Sequence, residues 1–160
     1  MKIWLVPIEP VPNRYTVDWK QFFVNEFEKA KVDYEIIDGT QVPPKVDQGE
    51  VFDSTATTIY KATQLTELLY AIREGKVSDD DVIFFCDLWF PGIEALSYIR
   101  NLGNKKFKIV GILHAGSYDP YDFVSRTGMR NWAKHVEAGW LNAVDLVFVA
   151  TQFHKDLLVI

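Results

Sequence analysis

His114, Asp87, Glu9 and Arg14 are the residues whose type and place could do chemistry, because each closely follows or closes an apolar run that reads as a strand. A neutral imidazole donates from one ring nitrogen and accepts at the other, so His114, directly after the apolar stretch 107–113, suits hydrogen bonding to a substrate hydroxyl. The plainer alternative is a histidine that anchors its own loop; the functional reading ranks first. Asp87 closes the run DVIFFCD. A carboxylate there can orient an acceptor hydroxyl or serve as a general base, and a cap for the turn around Pro91 accounts for it equally well. Glu9, Asn13 and Arg14 follow the first strand, Arg14 offering a charge-assisted fork to an acid or phosphate. Taken singly, Glu9 and Arg14 fit a surface position better.

Small and turn-forming residues follow His114. Gly116 and Ser117 let the chain leave a sheet, while Tyr118, Asp119 and Tyr121 form an aromatic and acidic cluster able to stack on and hydrogen-bond a sugar or base. A simple turn at Asp119-Pro120 is the competing account. Glu137 beside Trp140 reads as an internal ion pair or a solvent-facing acid, and His135 and His154 as structural or exposed. The three histidines and the acids have no metal-ligand spacing, so no protein-bound metal is expected.

These residues need a scaffold, and the chain alternates in the required way. Strands are expected at 2–8, 32–37, 81–87, 106–113 and 145–150. Helices are expected at 17–31, capped by Thr16, at about 54–76, capped by Asp53 or Ser54, at about 93–102, at 129–144 and from 151 onward. In the helix over 129–144, Trp132, Val136, Trp140, Leu141 and Val144 can face the core. Residues 40–53 read as a long exposed loop. Alternating strands and helices specify an α/β fold, a Rossmann-like parallel sheet flanked by helices, with ligands bound beyond the carboxyl ends of the strands.

Composition limits the function classes. A chain of 160 residues with 48% hydrophobic content is one domain with a real core. The net charge of −5 disfavours binding nucleic acid through the overall field. Cys86 is the single cysteine and lies in an apolar run, which suits a packed thiol and excludes a disulfide framework. The apolar start breaks at Pro7, too short for a signal or a membrane span, so a soluble cytoplasmic protein is expected. The apolar residues 157–160 are expected to continue into a further domain.

The strand and loop GILHAGSYDP, the helix NWAKHVEAGWLNAV and the stretch DLVFVATQFHKDLL together resemble the N-terminal half of a GT-B glycosyltransferase of the group-1, family-4 kind. The similarity follows the layout of the whole chain and is densest over 81–158. It implies one half of a GT-B architecture, with residues 1–160 as the acceptor-side domain. The nucleotide-sugar donor would sit in a C-terminal domain or partner chain, and sugar would pass between them without a protein-bound cofactor or metal. The resemblance gives His114 a place at the reaction centre or on a donor-sugar hydroxyl. It also implies that this chain alone transfers no sugar and leaves the acceptor class open, nucleic acid included. The first loop departs from the pattern, having Glu9, Pro10, Pro12, Asn13 and Arg14 where relatives have glycines. A non-catalytic Rossmann-like binding or assembly module is the main alternative. A receiver-type signalling domain ranks low because no acidic pair follows the first strand, and the missing glycine fingerprint disfavours a dehydrogenase.

Overall fold

A computed structural model of the protein describes residues 1–11, 14–45 and 53–158. Its strands are β1 (Ile3–Val6), β2 (Tyr34–Ile36), β3 (Val82–Phe85), β4 (Lys108–Leu113) and β5 (Leu146–Val149). The helices are α1 (Thr16–Ala30), α2 (Ser54–Arg73), α3 (Ile93–Leu102), α4 (Phe123–Arg126), α5 (Arg130–Ala143) and α6 (Gln152–Leu158). All strand pairs are parallel, in the order β2-β1-β3-β4-β5. The fold is therefore Rossmann-like α/β, as the alternation predicts. The short helix α4, inside the loop after β4, is an addition that the sequence pattern did not mark.

Register explains the near-continuous apolar strands. Trp4 pairs with Ile83, Val6 with Phe85 and Ile83 with Ile109, and these residues join Leu68, Ile93, Leu96 and Trp140 in one buried core. On the other face Leu5 pairs with Phe84, and Phe23 of α1 meets Phe84 edge-on at 5.1 Å. Right-handed crossovers require this division, since the chain steps one way from β1 to β2 and the other way thereafter. Burial on the α1 face falls with distance from that helix. Leu5 is fully buried, Val110 and Ile112 are half-buried, and Leu146 and Phe148 on β5 are about half exposed.

Among the described residues, side chains cap α2 and α4, whereas α1, α3 and α5 start without one. Asp53 caps α2 by accepting from the Ala56 amide at 2.9 Å. The ionised form gains most from this, and backbone donors at Ala56 and Lys45 hold the Asp53 carboxyl below the usual range. Thr16 does not cap α1. It lies inside the first turn, and its hydroxyl accepts from the Val11 amide at 3.1 Å, fastening the first loop to the helix. The face of α5 also departs from expectation. Ala133, Glu137 and Trp140 are buried while Trp132 and Val136 are exposed, because the carboxylate of Glu137 is drawn inward by donors described below. At the amino end of the sheet, Asp81 accepts from the amides of Lys2 and Ser78 and from the indole of Trp4, bolting β1 to β3.

Candidate functional site

The chain leaves β1 towards one face of the sheet and β3 towards the other, and doubly wound sheets bind ligands in the crevice beyond the carboxyl ends of the strands at such a point. The loop after β1 brings Glu9, Arg14 and Tyr15 to it, the β3 exit brings Asp87 and Trp89, and the β4 exit brings His114. Helix α2 contributes Thr57 and Lys61. Among the described residues, no group of three histidine, cysteine or acidic side chains is placed to hold a metal ion.

His114 follows β4 directly, and its Nε2 lies 2.8 Å from the carbonyl oxygen of Cys86. A carbonyl only accepts, so Nε2 carries a proton, and in the neutral ring Nδ1 is the acceptor. Tyr15 and Trp19 pack on the ring at 5.9 and 5.6 Å between centroids, the latter edge-on. The imidazole is thus oriented by a fixed backbone group and walled by two aromatic residues. The hydrogen bond makes His114 a residue that anchors its loop to the β3 exit. Partial burial, then the negative field of Asp87, raise the Tyr15 hydroxyl above the ordinary phenol value, with Arg14 opposing them. Tyr15 therefore stays protonated and can donate. Cys86 is buried and its thiol is pushed far up by desolvation, which keeps it an inert packing group.

Asp87 is held twice. Its Oδ1 accepts from the Trp89 amide at 3.0 Å, closing a tight turn, and its Oδ2 pairs with Lys61 Nζ at 3.2 Å. The Lys61 ammonium also donates to the Trp89 carbonyl. Glu9 is buried and its Oε2 accepts from the Thr57 hydroxyl at 2.6 Å. Among the described residues this end of the sheet therefore carries the carboxylates of Glu9 and Asp87, the Lys61 ammonium, the Arg14 guanidinium, the His114 imidazole and the Tyr15 phenol. Such a set can grip a polyhydroxylated molecule: carboxylates accept from hydroxyls, and the ammonium and phenol donate to ring or linking oxygens.

Gly116, Ser117, Tyr118 and Asp119 take a different position. Ser117 is buried, and its amide donates to both oxygens of Glu137, at 2.9 and 3.0 Å, while its hydroxyl donates to Oε2. The Trp89 indole donates to Oε1 of the same carboxylate at 2.7 Å. Glu137 is thus buried and, among the described residues, in no ion pair; it is an acceptor that joins the β3 exit to the β4 exit. Gly116 is required there, since a Cβ would come within 2.5 Å of Glu137 Oε1. Asp119 accepts from the Tyr121 amide at 2.8 Å and faces His154 Nε2 of α6 at 3.4 Å. The Tyr118 hydroxyl is buried with no hydrogen-bond partner among the described residues, and desolvation, followed by Asp119, Glu137 and Asp122, pushes it up to about 12. Arg14 is exposed, and Asn13 lies outside the described residues.

No protein-family model, curated protein or solved structure matches this chain. The site therefore rests on its own geometry. Among the described residues no helix is long and apolar enough to cross a membrane.

Tyr15, Trp19 and Trp89 join the site without any signal that singled them out in the sequence, and so do Thr57 and Lys61 of α2. Thr57 and Lys61 stand four apart on one face of α2, a spacing that places them together once the helix is assumed. Their partners Glu9 and Asp87 lie 48 and 26 residues away, so only the folded sheet pairs them.

Proposed function

We propose that the chain is the acceptor-side domain of a glycosyl-transfer site of GT-B type, with the crevice beyond β1, β3 and β4 as the place where the acceptor lies. The single observation that carries the reading is that Asp87 and Glu9, each following a strand at this end of the sheet, are both held by α2, through Lys61 and Thr57, with His114 fastened to the neighbouring β3 exit. It is supported by the likeness of the segments over 81–158 to that fold, stated above on their residues.

In this reading an acceptor hydroxyl is held against a carboxylate or the Nδ1 of His114. Its oxygen forms a bond to the donor's anomeric carbon as the bond from that carbon to the diphosphate breaks. The hydroxyl proton passes to the accepting group, and the electron pair leaves with the diphosphate. The donor would be presented by a second domain or chain. This domain supplies positioning and proton acceptance.

The test is an amide chemical-shift titration of the labelled protein with a panel of glycosides, comparing wild type with His114→Ala. Saccharide-dependent shifts at Tyr15, Asp87 and His114, abolished in the variant at unchanged melting temperature, are expected. A crevice that responds to none of the glycosides would sink the reading. The second reading, a binding or assembly module, is favoured by the exposed apolar Leu146 and Phe148 on β5. It would gain from concentration-dependent self-association that Phe148→Ser abolishes.

A further inference from the structure

A second concavity opens beside the crevice, beyond the carboxyl ends of β1 and β2. It has a volume of about 350 Å³ and is lined by Pro10, Lys20, Asp38, Gly39, Gln41 and Tyr60. Asp38 organises its polar wall. The Tyr60 hydroxyl donates to Asp38 Oδ1 at 3.1 Å, and the Lys20 ammonium donates to Oδ2. Tyr60 is buried, and desolvation, then the Asp38 charge, hold its phenol far above the ordinary range, so it acts only as a donor to the carboxylate.

The wall is built before any ligand arrives. Buried Gln64 donates to the carbonyls of Pro7 and Ile37 at 2.9 Å each, locking the β1 and β2 exits together. The Thr63 hydroxyl accepts from the Thr40 amide at 2.7 Å and donates to the Tyr60 carbonyl at 2.8 Å. Glycine is needed at 39, because a Cβ there would come within 2.6 Å of the Tyr60 ring and push the phenol off Asp38.

An ionised carboxylate has about four acceptor sites and an ammonium three donors. Asp38 uses two of its sites and Lys20 one donor in the contacts above, and both side chains are partly exposed. A carboxylate with spare lone pairs, beside an ammonium with spare protons, matches adjacent hydroxyls on a ring: the hydroxyls donate to the acid and accept from the cation. We propose that this pocket binds the vicinal diol of a sugar ring, from a saccharide or from a nucleoside. As a subsite for a second ring of the transfer acceptor it deepens and rests on the function proposed above; as a diol site it rests on the pocket itself.

The test titrates the labelled protein with maltotriose, adenosine and 2′,3′-dideoxyadenosine, reading the amides of Lys20, Gly39 and Gln41 for the pocket and those of Asp87 and His114 for the crevice. Saturable pocket shifts in the millimolar range are expected from maltotriose, adenosine or both, the responding probe naming the source of the diol. Dideoxyadenosine should bind at least about tenfold more weakly than adenosine, and Asp38→Asn should weaken the responding probe by about tenfold or more. Lys20→Gln, a change on the partly exposed face of α1, gives the same readout if Asp38→Asn does not fold. Silent pocket amides with both diol probes, or binding that both variants leave intact, would overturn the inference. A responding pocket beside a crevice silent both here and with the glycoside panel would keep the diol site and remove the transferase reading; the reverse would remove only the subsite.

Discussion

Both carboxylate oxygens of Glu137 accept from the single amide of Ser117, at 2.9 and 3.0 Å, across 20 residues of sequence. With the Ser117 hydroxyl and the Trp89 indole added, one buried acid satisfies donors from two loops that border the crevice. Removing it strands those donors in a dry place. Glu137→Ala should therefore lower the unfolding free energy by about 3 kcal/mol, from several unpaired buried groups. Glu137→Gln should cost less, because one of its two head atoms still accepts. Urea unfolding monitored by tryptophan fluorescence checks both; equal stability of Glu137→Ala and wild type would show that the loops hold without the carboxylate.

The neighbouring glycine supplies an independent check. A Cβ at position 116 would meet Glu137 Oε1 at 2.5 Å and Cδ at 3.0 Å. Gly116→Ala should cost about 1–3 kcal/mol through this overlap. In a Glu137→Ala background the obstacle is gone, so the same substitution should cost a few tenths of a kcal/mol. Additive costs in the double variant would place the strain elsewhere.

Acid sensitivity should come in part from Asp81. Burial resists ionisation of this acid, but donors from Ser78, Trp4 and Lys2 outweigh it and bring the carboxyl down to about 2. A folded-state value below the unfolded value of about 4 means that the stabilisation is fully present above that pH and is lost as pH falls through the folded value. The loss amounts to about 2 kcal/mol. The stability gap between wild type and Asp81→Asn should thus be constant from neutral pH to about pH 5 and shrink between about pH 4 and pH 2. Urea midpoints across that range test it, and a pH-independent gap would mean that Asp81 is not held by these donors as an anion.

Much of the scaffold was legible because its signals are local. Apolar runs marked the strands, Asp53 and Ser54 marked the start of α2, and His114 stood where a strand had to stop. What escaped depends on contacts between distant segments. Trp132 and Val136 have the composition of a core, yet the inward turn of Glu137 rotates them outward. The buried stripe of α2 includes Tyr60 and Gln64 because each finds a polar partner at the end of β1 or β2. Hydrophobicity alone cannot register such pairings, since a polar residue becomes a core residue only when its partners are built.

The Lys61–Asp87 pair supplies the most direct probe of the crevice. Both side chains are largely shielded from water, at 13% and 21% exposure, so the pair is screened less than a surface bridge. Lys61 also donates to the Trp89 carbonyl, whereas Asp87 also accepts from the Trp89 amide, so each single substitution removes more than the mutual term. A double-mutant cycle separates them. Lys61→Met and Asp87→Asn should each cost about 1–2 kcal/mol, with a coupling of about 1 kcal/mol between them. The coupling should survive moderate salt, unlike that of an exposed pair. If it is below a few tenths of a kcal/mol, Asp87 is not tied to Lys61 in solution. Its carboxylate would then keep one more lone pair for an incoming hydroxyl, and the ammonium would be left to meet the ligand's oxygens by itself.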